Sequence, residues 1–270
     1  MVGPIQLITD LVRYRELLYS LTVKELKVRY KNAVLGFLWA ILTPLLMMVV
    51  LTVVFRYIGP RGFTAGIEHP FSIFLLCALI PWTFFAHSLS SCTGVLIGNA
   101  DLIKKVYFPR EVIPASTVLA AFINYLLSLI VLFAFLIGFR QWPTLWVLAL
   151  PLIVLVQAIF VLGICLMVSS LNAFYRDVAY IAETSLMVWF YATPIFYPHT
   201  MVAENTGSLF FRLYMLNPMA AIVISMRNVL LDGRCPDILV ILPAVLISIA
   251  FFVAGAIIFR KQEPLLADHL

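Results

Sequence analysis

The chain has 270 residues, of which 63% are hydrophobic and only 11% charged, with a formal net charge of +5 and a mean hydropathy of +1.06. So few polar residues cannot cover a water-soluble body, which excludes a soluble domain and makes the bilayer the solvent. In a membrane protein the distribution of the positive charge carries more information than its total, and no nucleic-acid partner is expected.

Residues 1–10 lack the basic-then-apolar layout of a cleavable signal. The first element expected is a helix over 11–32, LVRYRELLYSLTVKELKVRYKN. Its polar residues Arg13, Glu16, Ser20, Lys24, Lys27 and Lys31 recur at steps of three or four and form one stripe, with Leu11, Tyr14, Leu18 and Leu21 opposite. A basic amphipathic helix ahead of a first span belongs in the inner interface, its lysines among anionic headgroups. It either anchors the chain or also frames a docking surface for a cytoplasmic partner.

Six apolar runs follow, at about 35–57, 71–97, 113–138, 144–171, 178–197 and 238–259. Each has roughly the 20 residues that cross ~30 Å of hydrocarbon. Lipid leaves backbone groups no partner outside the segment, so the spacing predicts helices and an all-α integral membrane protein with six spans. Pro44, Pro81, Pro114, Pro151, Pro194 and Pro243 fall one to a run and mark expected kinks. With the N-terminus inside, twelve Lys and Arg lie on inner segments and six on outer ones, and every lysine is inside. The positive-inside bias therefore places both termini in the cytoplasm.

Between spans two and three, NADLIKKVYFPREVIP crowds Asp101, Lys104, Lys105, Arg110 and Glu111 into one segment, 99–112. Asn99-Ala-Asp can start a short helix, and Phe108-Pro109 ends it. The result is a cytoplasmic knuckle with charges of both signs and an exposed Tyr107–Phe108 pair. A solvated turn needs no aromatics, so this composition favours a protein contact over a plain turn.

Span five holds an ionisable residue, Glu183, ~9 Å along the helix from Asp177. It either pairs with Arg176 near the interface or lines a pathway with Met187 and Tyr191, which share its face. No chain of acids continues inward to make a proton relay. Trp189, Phe190, Tyr191, Phe196 and Tyr197 in this span, and Phe71, Phe74, Trp82, Phe84 and Phe85 in span two, read either as interfacial belts or as the flat wall of a wide conduit. Over 205–233, SLFFRLYML and PMAAIVISMRNVLLDG are helical in pattern but too short to cross. Asn217-Pro218 supplies a cap with an N1 proline and Gly233 a stop. Apolar half-helices of this kind fit a re-entrant hairpin on the outer side, acting as a gate or as a passive plug.

Catalysis finds no support. None of the 12 glycines precedes a lysine, which excludes a phosphate-binding P-loop. No HExxH occurs, and His69, His87, His199 and His269 are scattered. Cys77, Cys92, Cys165 and Cys235 lack paired spacing, three of them inside apolar runs. Neither a catalytic residue nor a metal site is expected.

Residues 17–50, LLYSLTVKELKVRYKNAVLGFLWAILTPLLMMVV, resemble the entry of ABC-2 type permeases that export polysaccharide. The carriers are Lys24, Glu25, Leu26, Lys27, Arg29 and Tyr30, then Leu35, Gly36, Trp39 and Pro44. Asn99, Leu102, Ile103, Lys104, Lys105, Phe108, Pro109, Arg110, Glu111 and Pro114 are similar to that family's loop between spans two and three. Phe174, Arg176 and Asp177, then Thr193-Pro194-Ile195, Tyr197-Pro198 and Asn217-Pro218, continue the likeness nearly end to end.

The resemblance implies two copies of the chain, two separate ATP-hydrolysing subunits that bind ATP and Mg, and lipid-linked glycan moved outward across the bacterial inner membrane. It further implies an ATPase-coupling element with Leu102, Ile103, Lys104, Lys105, Tyr107, Phe108, Arg110 and Glu111, flanked by the interfacial helix residues Lys24, Glu25, Lys27, Arg29 and Tyr30. A conduit would form between spans one and five of both copies, with Phe37, Trp39, Glu183, Met187, Trp189 and Tyr191 as candidates. The outer hairpin, with Arg212, Asn217, Pro218 and Arg227, would be the gate. The final stretch, RKQEPLLADHL, keeps Glu263 but lacks the aromatic of the family's usual acidic-aromatic tail, which leaves the tail without an assigned role. An ABC-2 exporter of a small lipid or drug is the alternative. A membrane-embedded transferase would want paired acids or a metal motif that this sequence does not offer.

Overall fold

The computed structural model describes residues 4–31, 36–58 and 67–269. Its elements are helical throughout: α1 (Pro4–Arg13), α2 (Arg15–Tyr30), α3 (Trp39–Thr52), α4 (Phe71–Thr93), α5 (Val95–Gly98), α6 (Ala100–Lys105), α7 (Val112–Gly138), α8 (Leu150–Phe174), α9 (Asp177–Tyr191), α10 (His199–Asn205), α11 (Ser208–Tyr214), α12 (Pro218–Leu230), α13 (Ile238–Gln262) and α14 (Leu266–His269). Among the described residues five helices are long and apolar enough to cross a membrane: α3 with the wider π-type turn that extends it to Ile58, α4, α7, α8 with its preceding 3₁₀ turn, and α13.

The segment expected as span five differs. Its helix stops at Tyr191, which gives 15 residues and only ~22 Å of length. Pro194 supplies no N–H and disfavours helix at Thr193, so the chain leaves the helix there. Thr193, Pro194, Ile195 and Phe196 then fold into the protein interior. The expected kinks also sort by position. Pro44, Pro81 and Pro243 lie inside helices. Pro114 and Pro151 sit in first turns, where an N–H has no partner to lose.

The axis of the bundle is α4, most of whose residues are buried, with α7 and α8 against it; α3, largely bare, stands at the rim. Polar side chains of α8 fasten it to main-chain carbonyls of α4: Gln157 Nε2 donates to Pro81 O at 2.7 Å and Asn172 Nδ2 to Thr93 O at 2.8 Å. In lipid such bonds hold helices together where hydrophobicity cannot. Phe85 and Phe160 meet Trp189 of α9 edge-on, with centroids 5.1 and 5.9 Å apart, and Phe160 meets Phe251 of α13 in the same way. Cys77, Cys92 and Cys165 are fully buried in this core, and Cys235 is exposed.

The tightest helix pair is α8 with α13. Gly163 and Gly255 face each other so closely that a Cβ on Gly255 would lie 2.1 Å from the Gly163 carbonyl oxygen, and one on Gly163 2.5 Å from Phe252 Cα. Backbones approach this closely only where side chains are absent, and dispersion between them replaces the missing hydrophobic drive. Gly255→Ala is expected to cost about 1–3 kcal/mol, read as a lower thermal midpoint of the detergent-purified chain. An unchanged midpoint would contradict the seam.

Candidate functional site

The segment at 99–112 folds as a short helix and a loop between α5 and α7. Asn99 stands at the start of α6 but does not cap its N–H groups. Its Nδ2 donates to Val95 O at 2.9 Å, and its Oδ1 accepts from Lys24 Nζ of α2 at 2.9 Å. Helix α6 ends at Lys105, four residues before Pro109. The eight coupling candidates separate into two sets. Lys104, Lys105 and Tyr107 point outward, with Tyr107 99% exposed and Lys105 Nζ 3.9 Å from Asp101. Ile103 and Phe108 point inward, Leu102 and Arg110 are half-buried, and Glu111 is 1% exposed. The expected Tyr107–Phe108 pair is therefore corrected: Phe108 is buried, because it packs with Ile103, Leu7, Val112 and Ile113 in a small apolar core at this end of the bundle. Proline at 109 fixes the turn that drives Phe108 in while Tyr107 stays out.

That same core is closed by elements far away in sequence. Leu7 of α1, Phe259 of α13 and Leu266 of α14 are fully buried in it, and Leu11, Tyr14, Leu17, Leu18 and Leu21 lean on its edge. The stripe Arg13, Glu16, Ser20, Lys24, Lys27 and Lys31 is exposed on the other side of α1 and α2, and Glu25 is half-buried. Arg29 reaches back to Ser91 Oγ of α4 at 3.2 Å. Helix α2 packs along α7. The side chains of Tyr30 and Phe37, with residues Leu35 and Arg61, lie outside the described ones.

Charges close the assembly. Arg260 Nη2, near the end of α13, donates to Glu111 Oε1 at 2.8 Å and to Asp10 Oδ2 of α1. The Arg110 N–H donates to Glu263 Oε1 at 3.1 Å, and the Arg110 guanidinium donates to the Glu263 carbonyl oxygen. The second carboxylate oxygen of Glu111 is buried with no hydrogen-bond partner among the described residues. Burial pushes the Glu111 carboxyl up from 4.5 to about 7, with the Glu263 and Asp10 carboxylates adding to the rise and its own backbone N–H and Arg260 opposing it. Sequence reading missed Asp10, Arg260 and Glu263 as members of this cluster. They lie 101, 149 and 152 residues from Glu111, and only the fold joins them. The retained Glu263 of the tail was the one visible sign.

The conduit candidates divide as well. Glu183, Met187 and Tyr191 share one bare face of α9, Met187 at 68% exposure, and Tyr180 and Val188 extend it. Trp39 is exposed on α3, whose Leu46, Met47, Val49 and Val50 are bare too. Phe55, in the π turn after α3, stacks on Phe196 at 4.6 Å, so the two bare helices are joined at one end. Trp189 turns inward, and its Nε1 donates to Asn217 Oδ1 at 2.8 Å.

Asn217 is the junction of α9 and α12. Its Oδ1 also caps the Met219 N–H at 3.0 Å, while its Nδ2 donates to Ala192 O at 3.0 Å and Thr193 Oγ1 at 3.3 Å. Pro218 follows as the first residue of α12, which is buried almost throughout. Arg227 is buried with it: the guanidinium donates to Pro194 O at 2.6 Å, Ile195 O at 2.7 Å and Phe74 O at 3.2 Å, and lies over the Phe74 ring. Arg212 is exposed on α11, where Leu209, Phe210 and Leu213 are bare. The two short helices thus have opposite characters, one locked into the core and one uncovered.

A raised carboxyl gives a sign for pH. The folded chain binds more protons at Glu111 than the unfolded chain between about 4.5 and 7, so stability falls as pH rises through that window and is level above it. The fall is expected to be at most about 3 kcal/mol, measured as thermal midpoint against pH in detergent. Glu111→Gln should flatten this slope, and a slope identical to that of the parent chain would contradict the assignment.

Comparison with known proteins identifies the family. The family model for ABC-2 type transporter matches residues 16–231. The O-antigen export system permease protein RfbA of Myxococcus xanthus is 32% identical over 267 residues, 98% of this chain and 100% of that protein. Its namesake from Klebsiella pneumoniae is 34% identical over 263 residues, 94% of this chain and 95% of that one. The polysialic acid transport protein KpsM of Escherichia coli is 32% identical over 101 residues, 37% of this chain and 36% of that protein. With a family match that takes in α2 to α12 and relatives alike from end to end, the chain belongs to the ABC-2 type transporter family.

Proposed function

We propose that the chain is the permease subunit of an ATP-driven exporter of polysaccharide, of the O-antigen, capsule or teichoic-acid kind. The observation that carries this reading is the likeness to O-antigen export permeases over 98% and 94% of the chain. It sits in a bacterial inner membrane with both termini cytoplasmic, which the lysine distribution supports. Six crossings follow if α9 and the turn after it complete the fifth. In that frame α11 and α12 form a re-entrant outer hairpin, and the end of α1 and α2 lie in the inner interface with Val12, Tyr19 and Val28 in the headgroup layer.

The exporter needs a motor that this chain does not carry, so ATP and Mg are bound by two ATP-binding subunits. They seat on the outward side of α6, where Lys104, Lys105 and Tyr107 offer charge and a rigid aromatic on a fixed platform. A second copy of the chain supplies the facing half of the conduit. The bare faces of α3 and α9, with Trp39, Glu183, Met187 and Tyr191, support this, because Glu183 in particular is better placed toward a wet passage than toward lipid. The cargo is a lipid-linked glycan.

The test is export by the whole complex. The purified chain alone is expected to turn over no ATP, and turnover by the isolated chain would overturn the assignment. Charge reversal at Lys104 and Lys105 together is expected to lower surface glycan by about tenfold with the chain still inserted. Undiminished export by that variant would remove the coupling role of α6.

A further inference from the structure

The cluster at the inner end of α13 has a geometry that stability alone does not require. Two guanidiniums and three carboxylates are arranged so that each side of the contact supplies both a cation and an acceptor. Arg260 of α13 reaches Glu111 of the loop at 2.8 Å, and Arg110 of the loop reaches Glu263 of the tail through both its N–H and its guanidinium. Asp10 of α1 shares the Arg260 guanidinium. Apolar contacts at Ile103 and Phe108 resist separation but permit sliding. A crossed pair of charge-assisted hydrogen bonds fixes direction as well. The side chain of Glu111 is almost wholly buried, so breaking its pair leaves the carboxyl in a poor solvent rather than handing it to water.

What lies behind the cluster is stiff. Arg260 is five residues beyond Gly255, where α13 touches α8 backbone to backbone. The outward residues Lys104, Lys105 and Tyr107 are thus joined to the membrane bundle by two routes. One is the chain itself, through Glu111 into α7. The other runs across space from Glu111 and Arg110 to α13 and on to α8.

We propose that Arg260 and Glu263 are positioning residues that clamp the 99–111 segment to the end of α13, so that displacement of this segment by an ATPase is delivered to the α8–α13 pair as well as to α7. The proposal rests on the reading of α6 as the ATPase seat. It gives the C-terminal tail a mechanical role, since Leu266, fully buried in one cluster with Phe259 and Ile103, holds Glu263 in place. Asp10 extends the same clamp to the N-terminal helix.

The experiment uses the complete exporter, with its ATPase, in cells making the glycan and in membranes prepared from them. Four quantities are read: chain in the membrane, ATPase retained on the chain, ATP hydrolysed and glycan exported. Arg260→Gln and Glu263→Gln are each expected to keep insertion, ATPase retention and hydrolysis within about twofold of the parent while glycan exported per ATP falls by about tenfold. Arg260→Lys, which keeps a charge but loses the shared guanidinium, should recover part of that loss. A residue that only stabilises the fold would lower chain level and hydrolysis together and leave the ratio unchanged, and that result overturns the proposal. If Arg260→Gln does not reach the membrane, the half-buried Glu263→Gln decides, and a parental ratio in it is equally fatal. Tyr107→Ala separates this from the underlying reading: it should lose the retained ATPase, and if it does not, the seat is elsewhere whatever the Arg260 variants do.

Discussion

A charge at the edge of a bilayer has to be given a partner by the protein, since hydrocarbon supplies none and a stranded ion is expensive. Two arginines show the two ways in which this chain meets that demand, and they fix its two ends. Arg227 is surrounded by the carbonyls of Phe74 in α4 and of Pro194 and Ile195 in the turn after α9, and lies against the Phe74 ring. It staples α12 to α4 and to the turn after α9. Arg260 is met instead by the carboxylates of Asp10 and Glu111, which fold the N-terminal helix, the charged loop and the last span onto one point. Carbonyls make a neutral cage. Carboxylates make a cluster whose charge depends on protons: burial, with the Glu263 and Asp10 carboxylates beside it, pushes the Glu111 carboxyl up to about 7.

Between these ends the bundle is asymmetric. Helices α4, α8 and α13 are joined by side chain-to-carbonyl bonds, aromatic edges and a glycine seam, all of which give contact without relying on exclusion of water. Helices α3 and α9 are held by one side only and leave broad apolar faces, broken on α9 by Glu183. The junction at Asn217 matters here, because it ties the inner side of α9, through Trp189, to the capped start of α12. Movement of α9 therefore cannot leave α12 undisturbed. That linkage is what a gate above a conduit would need.

Much of this was readable in the chain. Apolar runs located the long helices to within a few residues, because crossing a bilayer sets a length that sequence displays directly. Asn217-Pro218 marked the start of α12 because capping chemistry is local. The short reach of α9 was less visible: the run stays apolar to Tyr197, and only Pro194 betrayed that the helix had to stop. The inward turn of Phe108 depended on a pocket built by Leu7 and Phe259, residues on other helices. Helix α1 carries too little apolar length to announce itself and exists by packing on α13. The clamp was the least legible part, since pairs such as Asp10 with Arg260 have no spacing rule. Family resemblance, by contrast, pointed to the segment at 99–111 while remaining silent on what holds it.

The central claim is that this charged segment is a stiff seat for an ATPase. Hydrogen exchange of the chain, alone and bound to its ATPase, measures it most directly. The account predicts slow exchange at 110–113 in both states, because Glu111 and Arg110 are already clamped, and new protection over 100–108 and along the exposed stripe of α2 when the ATPase binds. Protection confined to α11 or to the 139–149 end of the bundle, with 100–108 unchanged, would contradict it.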